Sequence, residues 1–413
     1  MAGLALEGIR VIDCTTAWAG PLATHILGDM GAEIIKVESI QRVDSWRTAS
    51  PLRVNEDGWW ERSPNFNAVN RNKISVTLDL TRKPAAELFK RLVKIGDLVV
   101  ENYTPRVMAN FGLGYPALME INPGIVMVSM PGWGMTGPWR DYAGFAASVE
   151  QMSGMPQLLG YLDGGPLMHG VGLALGDPIA GLYGAFAILG ALRRRRRTGQ
   201  GQYVDLSQNE AVSCVIGDAM MDHTLNRRVQ GRRGNRHPFM APHGCYRCLG
   251  QDSYVAIAIA SDKEWESFCR ALGEQAWLQD ARFLDVMGRL ANQDELDRLI
   301  EAWTIGHGDY EVMHLLQGAG VAAGPVLSPP AMLEEPNLKE RGFWEWIDRA
   351  EVGRRPYPGI LPKMSKTPGT VRLPAPTIGQ HNDYVLGELL GLTREEIAQL
   401  ADEKIIGTRP IGV

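Results

Sequence analysis

The residue of this chain best suited to nucleophilic chemistry is an acid set between a glycine and a proline at a predicted helix start. It is Asp177, in Gly176-Asp177-Pro178-Ile179-Ala180-Gly181. Proline at the first helical position would make Asp177 the N-cap, and Ile179, Leu182, Tyr183, Phe186 and Leu189 follow at helical spacing. That face is predicted to be buried. Arg193 to Arg197 would complement the negative end of the helix dipole, and Gly199 supplies the stop. A carboxylate in this place either caps the helix or is displayed as a nucleophile, and the neighbourhood has to decide between the two.

Other chemistries find less support. The turn after the first predicted strand reads Thr15-Thr16-Ala17-Trp18-Ala19-Gly20-Pro21, without the G-x-G-x-x-G that a dinucleotide pyrophosphate needs, although Glu38 ends the second strand where a ribose-binding acid would stand. There is no P-loop and no G-x-S-x-G. Cys245 and Cys248 form one C-x-x-C with His237 and His243 upstream, but residues three apart on a strand point to opposite faces, so two packed thiols are expected and no metal site. His169 is expected to be a loop residue, though it lies near enough in sequence to assist Asp177. Arg71 and Lys73, and Arg106 after Glu101-Asn102-Tyr103-Thr104-Pro105, fall where loops leave a predicted sheet, as phosphate contacts or as surface charges.

These residues must be held by an alternation of short strands and helices. Residues 9–14, 33–37, 74–80, 98–102 and 125–130 read as strands, with helices over 21–30, 84–95, 105–110 and 115–121 between them. Such an alternation predicts a doubly wound parallel sheet of α/β class, with ligands at the carboxyl ends of its strands. Residues 226–237 are basic and Gly-punctuated and read as a linker. Beyond them a hairpin over 244–249 and 253–259, a helix opened by Ser261 and Glu264, and two more helices suggest a small α+β domain. A Pro-rich segment over 324–376 reads as an extended return path, and a capping box of Thr393 and Glu396 opens the last helix. The division expected is 1–225 for the first part of the large domain, 226–325 for linker and small domain, and 326–413 for the part that completes the large one.

Length and composition agree with this plan. The 413 residues exceed one ordinary core, and 45% hydrophobic with 22% charged residues describes a globular chain. Five scattered cysteines predict reduced thiols. A start without a basic n-region or apolar h-region, and no stretch of about 18 apolar residues, predict a cytoplasmic protein with no membrane span. A net charge of -5 offers nucleic acid and anionic lipid no general attraction, so the expected partners are small molecules and other subunits.

Read together, several segments resemble the class III coenzyme A transferases, the family of formyl-CoA and carnitine CoA-transferases, over essentially the whole chain. They are Ala19-Gly20-Pro21, Gly31 to Glu38, Asn70-Arg71-Asn72-Lys73 with Leu78-Asp79-Leu80, Val100-Glu101-Asn102-Tyr103, Gly132-Trp133-Gly134 with Thr136-Gly137-Pro138, Gly176-Asp177, and Thr198 to Gln202. The resemblance implies that Asp177 is the catalytic aspartate and that Trp18, Ala19, Asn102, Tyr103 and the stretch Ala143, Gly144, Phe145 and Ala146 line the CoA site. It implies a Rossmann-like large domain with a smaller domain inserted and two subunits interlocked like links of a chain, as a homodimer or with a related sister subunit. No permanently bound cofactor is expected; CoA thioesters are substrates. Two positions where relatives carry a phosphate-binding arginine are Ser39 and Asn110 here, so Arg42 or Arg106 would substitute, and the relatives' glycine-rich loop before the second domain's sheet is missing.

In this reading ionised Asp177 attacks an acyl-CoA, passes through a mixed anhydride and an aspartyl-CoA thioester, and delivers CoA to an acceptor acid. Backbone N–H groups around Gly176 or in the Gly132 to Gly137 loop, with Trp133 and Gly134, would hold the oxyanion. Trp18, Trp133, Met135 and Phe145 suggest a bulky or aromatic acceptor, as in the benzylsuccinate branch, with succinyl-CoA as donor. The alternatives are a racemase of the same family, which would place a histidine where Phe145 stands, and a non-catalytic partner subunit.

Overall fold

The computed structural model describes residues 3–49, 56–167 and 174–412, so His169 lies outside the described residues. Six short strands, β1 (Arg10–Asp13), β2 (Glu33–Glu38), β3 (Lys73–Thr77), β4 (Leu98–Glu101), β5 (Val126–Ser129) and β6 (Gln202–Asp205), form one sheet in the order β3-β2-β1-β4-β5-β6. Every neighbouring pair is parallel. The predicted alternation is therefore present, and the strand order reverses between β1 and β4, where Ile12 pairs with Ile35 on one side and Val99 on the other. A crevice opens at such a reversal, outside the carboxyl ends of the two strands.

Helices cover both faces, which is why β1 to β5 read as nearly unbroken apolar runs. On one face Leu88, Phe89 and Leu92 pack with Met108, Leu118, Val385 and Leu386. On the other, Ala19, Ala23 and Leu27 of the Ala19–Asp29 helix meet Ala180, Ile188 and Leu192 of the Gly176–Thr198 helix. This second face was misread from the sequence. The larger residues expected inside are largely outside, with Leu182 59% and Phe186 76% exposed, while Ala180, Gly181, Gly184 and Ala185 are buried. Small residues win the inner face because the two helices cross closely: a Cβ on Gly181 would stand 2.8 Å from the Ala19 carbonyl oxygen.

The chain divides into two compact units, Met1–Pro156 with Met168–Arg228 and Glu340–Val413, and Gln157–Leu167 with Val229–Lys339. The sequence boundaries at 226 and 325 assign 157–167 and 326–339 to the other part. Within the first unit, the return segment is no plain extended path, since Trp344–Arg349 and Gly353–Pro358 pair as an antiparallel hairpin. Its Arg349 reaches Glu61, which also binds Arg47, and Arg47 grips Glu38 at the end of β2 with two nitrogens at 2.8 Å. In the second unit the predicted hairpin, His243–Arg247 with Tyr254–Ala258, gains a third antiparallel strand, Ala322–Pro325. The Asp262–Leu272 helix is capped by Ser261 and stopped by left-handed Gly273, as its sequence indicates. Cys245 is exposed and Cys248 buried, so the two thiols point apart, and of the two packed thiols expected only Cys248 is packed.

Candidate active site

The Gly176–Thr198 helix begins two residues earlier than expected. Leu175 occupies the capping position without a side-chain bond, and Asp177 is the second helical residue, followed by Pro178. The prediction of Asp177 as an N-cap is thus corrected. As an N-cap, Asp177 would accept an N–H two or three residues on, but the Ile179 N–H is spent on the Leu175 carbonyl at 3.1 Å, and the Gly176 N–H ahead of Asp177 is held by the Glu150 carboxylate at 2.9 Å. Asp177 turns instead to the neighbouring helix. Its Oδ1 accepts the N–H of Ala19, the first residue of Ala19–Asp29, at 3.3 Å. The close crossing at Gly181 brings these two helix starts together, and among the described residues no donor reaches Oδ2.

Electrostatics at this carboxyl are opposed. Burial pushes it up to about 6, the Ala19 N–H pulls it down, and the Glu150 charge adds to the rise. Glu150 itself is 1% exposed on the Ala146–Met152 helix. At neutral pH Asp177 is therefore an ionised, poorly solvated carboxylate with one oxygen held and one presented, which is what a nucleophile requires.

The loop before Ala19 is pinned from several sides. Asn102, just past β4, accepts the Thr16 N–H at 2.9 Å and donates to the Thr16 carbonyl at 2.8 Å. Asp44 accepts from Thr16 Oγ1 and the Ala17 N–H, both at 3.0 Å, and Lys36 of β2 bonds Asp44 at 2.9 Å and the Thr15 carbonyl at 2.8 Å. Trp18 packs its ring against Trp46 at 5.1 Å.

The profile of CoA-transferase family III matches residues 6–382. The chain belongs to CoA-transferase family III. It is 33% identical over 402 residues to the Succinyl-CoA--D-citramalate CoA-transferase of Chloroflexus aurantiacus, covering 97% of this chain and 98% of that protein. The alpha and beta subunits of a Succinyl-CoA--L-malate CoA-transferase of the same organism are 34% and 32% identical, covering 98% of this chain and 93% and 98% of theirs. The crystal structure of a CAIB/BAIF family protein from Brucella suis superposes with a TM-score of 0.85 at 32% identity, covering 94% of this chain and all, 100%, of that one. The chain is accordingly an enzyme of the CoA-transferase class.

In this family III chain the predicted site residues separate into groups. Trp18, Ala19 and Asn102 converge beside Asp177 through the pinned loop. Tyr103 is half-buried against the core, its N–H on Glu101 at 2.7 Å. Gly132, Trp133, Ala143 and Gly144 meet one another: a Cβ on Gly144 would lie 3.2 Å from Trp133 Nε1, and one on Gly132 2.9 Å from Val149, the neighbour of Glu150. Gly134 is left-handed at φ 86° and turns that loop. Phe145 is 76% exposed just before the Ala146–Met152 helix.

Three assignments need correction. Arg71 is buried at the amino end of β3, bonding Asp29 at 3.0 and 2.7 Å, so it faces away from the carboxyl ends where phosphates would lie. Lys73 is fully buried on Asp13 at 2.9 Å and Thr24 at 2.8 Å, a charge used inside the fold. The Gly176 N–H cannot serve an oxyanion while Glu150 holds it, and in the 132–137 loop the Met135 N–H is engaged by Asp205 at 3.0 Å. Arg42 and Arg106 remain exposed, and among the described residues no ion pair uses them. Arg106 opens the Arg106–Asn110 helix just after β4, at the correct end of the sheet. Sequence reasoning missed Glu150 and Asp44, because nothing local marks an acid whose partners lie 26 or 27 residues away.

Proposed function

We propose that this chain moves coenzyme A from succinyl-CoA to a second carboxylic acid through a covalent thioester on Asp177. The observation that carries the reading is the carboxylate at the start of the Gly176–Thr198 helix with Oδ1 on the Ala19 N–H and Oδ2 presented. Oδ2 attacks the thioester carbon, the C–S bond breaks, and an aspartyl anhydride and CoA thiolate result. The thiolate then attacks the Asp177 carbonyl carbon; Oδ1 becomes the oxyanion, facing the Ala19 N–H, and the free acid departs with Oδ2 as one of its oxygens. An acceptor carboxylate reverses these steps and leaves as its CoA thioester. A carboxylate nucleophile suits an exchange between two acids, since one CoA thioester replaces another and the net exchange is near thermoneutral.

The donor and acceptor classes follow the relatives named above, both of which take succinyl-CoA and a hydroxylated dicarboxylic acid by their names. We take the acceptor here to be a dicarboxylic acid. Exposed Phe145, with Trp133 and Met135 on the adjoining loop, gives room for an aromatic substituent, as benzylsuccinate carries. Phe145 offers no proton, which disfavours racemisation. The same residues with Trp18, Arg42 and Arg106 form the CoA side of the site in this reading, with no resident cofactor.

Assembly enters the proposal through the Gly176–Thr198 helix. Leu182, Tyr183, Phe186 and Leu189 form an uncovered apolar face beside the site, which supports an interlocked dimer, formed with itself or with a sister subunit such as the alpha and beta names of the relatives denote. Among the described residues no helix is long and apolar enough to cross a membrane, and a cytoplasmic site of action is proposed. Incubation with succinyl-CoA followed by hydroxylamine tests the mechanism. Modification located at Asp177, and CoA exchange to citramalate, malate or benzylsuccinate that vanishes in Asp177→Ala, are expected; exchange at an undiminished rate in that variant overturns it.

A further inference from the structure

The carbonyl-to-carbonyl path from β1 to the Ala19–Asp29 helix contains a backbone that would not hold itself. Ala17 has φ 62°, a left-handed conformation that a residue with a side chain adopts only under constraint. Two residues later stands the N–H that Asp177 accepts. The constraint is visible in Asp44, which is 5% exposed, and Lys36, which is fully buried. One oxygen of Asp44 collects Thr16 Oγ1, the Ala17 N–H and the Trp46 N–H, all at 3.0 Å, and the other takes Lys36 Nζ at 2.9 Å. Lys36 carries on to the Thr15 carbonyl at 2.8 Å.

We infer that the buried Lys36–Asp44 pair is a positioning device for CoA transfer, holding residues 15–18 so that the Ala19 N–H points at Asp177. The inference rests on Asp177 being the nucleophile. A plain capping role accounts for little of it: the Ser45–Thr48 helix is one turn long, and its cap uses only the Trp46 N–H of the four contacts. Nor is overall stability a sufficient reason, since a buried ion pair is at best comparable to apolar residues of the same volume. What the pair achieves that apolar residues could not is a fixed direction for two backbone groups and one hydroxyl in a strained loop. The turn that follows Asp44 also supplies Trp46, whose ring backs Trp18, so one acid fixes the loop by its carboxylate and by its neighbour's ring. Asn102 closes the loop from β4.

The readout is the position of the acid limb of kcat/KM, which reports Asp177, together with the single-turnover rate at which succinyl-CoA and hydroxylamine modify it. On the elements packed against the Gly176–Thr198 helix, Glu150 is the charge that acts on Asp177, His25 pairs with Asp29, Asp205 accepts from Met135, and Glu210 is exposed. Loosening the loop weakens the Ala19 contact, so Asp44→Ala should move the acid limb to higher pH and slow modification about tenfold or more. Asp44→Asn keeps an oxygen for Ala17 but not the bond to Lys36, and should fall between Asp44→Ala and the parent. Simple removal of a negative charge would move the limb the opposite way, to lower pH, and that result overturns the inference. So does an unchanged limb and rate in folded Asp44→Ala, or in Asp44→Asn alone should the alanine variant not fold. If the unaltered protein is never modified at Asp177, it is the nucleophile reading that fails, and the two failures are told apart.

Discussion

Replacing Asp177 by Asn should abolish transfer and, above pH 6, make the folded protein harder to melt. Burial raises the carboxyl from its ordinary 3.8 to about 6, so the folded chain holds a proton that the unfolded chain has already released. Between those two values stability falls as pH rises, because the folded state binds more protons than the unfolded one, and above the higher value the deficit is constant. A shift of about two units corresponds to about 3 kcal/mol. Asp177 is only half-buried, and solvent screening reduces this to about 1–2 kcal/mol. Asparagine is isosteric, keeps an oxygen for the Ala19 N–H and has no charge to desolvate. Melting curves of both proteins from pH 4 to 8 should therefore start close together, separate as pH approaches 6, and run parallel above it with the variant higher. Coinciding or inverted curves at pH 7.5 would show that the ionised carboxylate costs the fold nothing, and the desolvated nucleophile would have to be abandoned.

Glu150→Gln removes the like charge near Asp177 while retaining an acceptor for the Gly176 N–H, so the acid limb of kcat/KM should move below the parent position; a limb at or above it refutes the electrostatic role. Gly181→Ala places a methyl 2.8 Å from the Ala19 carbonyl oxygen, which cannot yield as a flexible side chain would, and should cost about 1–3 kcal/mol in denaturant titration along with most of the transfer rate. Arg71→Ala leaves Asp29 short of its partner and should destabilise by about 3–5 kcal/mol without raising KM for the CoA substrate, whereas exposed Arg106→Ala should raise that KM and leave melting unchanged. A raised KM in folded Arg71→Ala would return it to the phosphate site.

Much of the fold was legible because its signals are local. Short apolar runs between turns set the strands and period-3.6 patterns the helices, Ser261, Thr393 and Gly199 mark helix ends as capping and left-handed residues do, and strands separated by helices lead to a parallel sheet whatever the packing details. Gly-Asp-Pro likewise marked Asp177 as an acid at a helix start, and it is the second residue of the Gly176–Thr198 helix. The tertiary structure decided which way things face. Apolar residues at helical spacing do not reveal whether the close partner wants large or small side chains, so the inner side of the Gly176–Thr198 helix went to alanine and glycine. A buried lysine and a phosphate-binding lysine look alike in a sequence, and only the position of Asp13 beneath β3 makes Lys73 internal. Whether Asp177 caps its own helix or reaches another was settled by Glu150 and Ala19, groups 27 and 158 residues away, whose approach is a property of the packed sheet and its helices rather than of any stretch of chain.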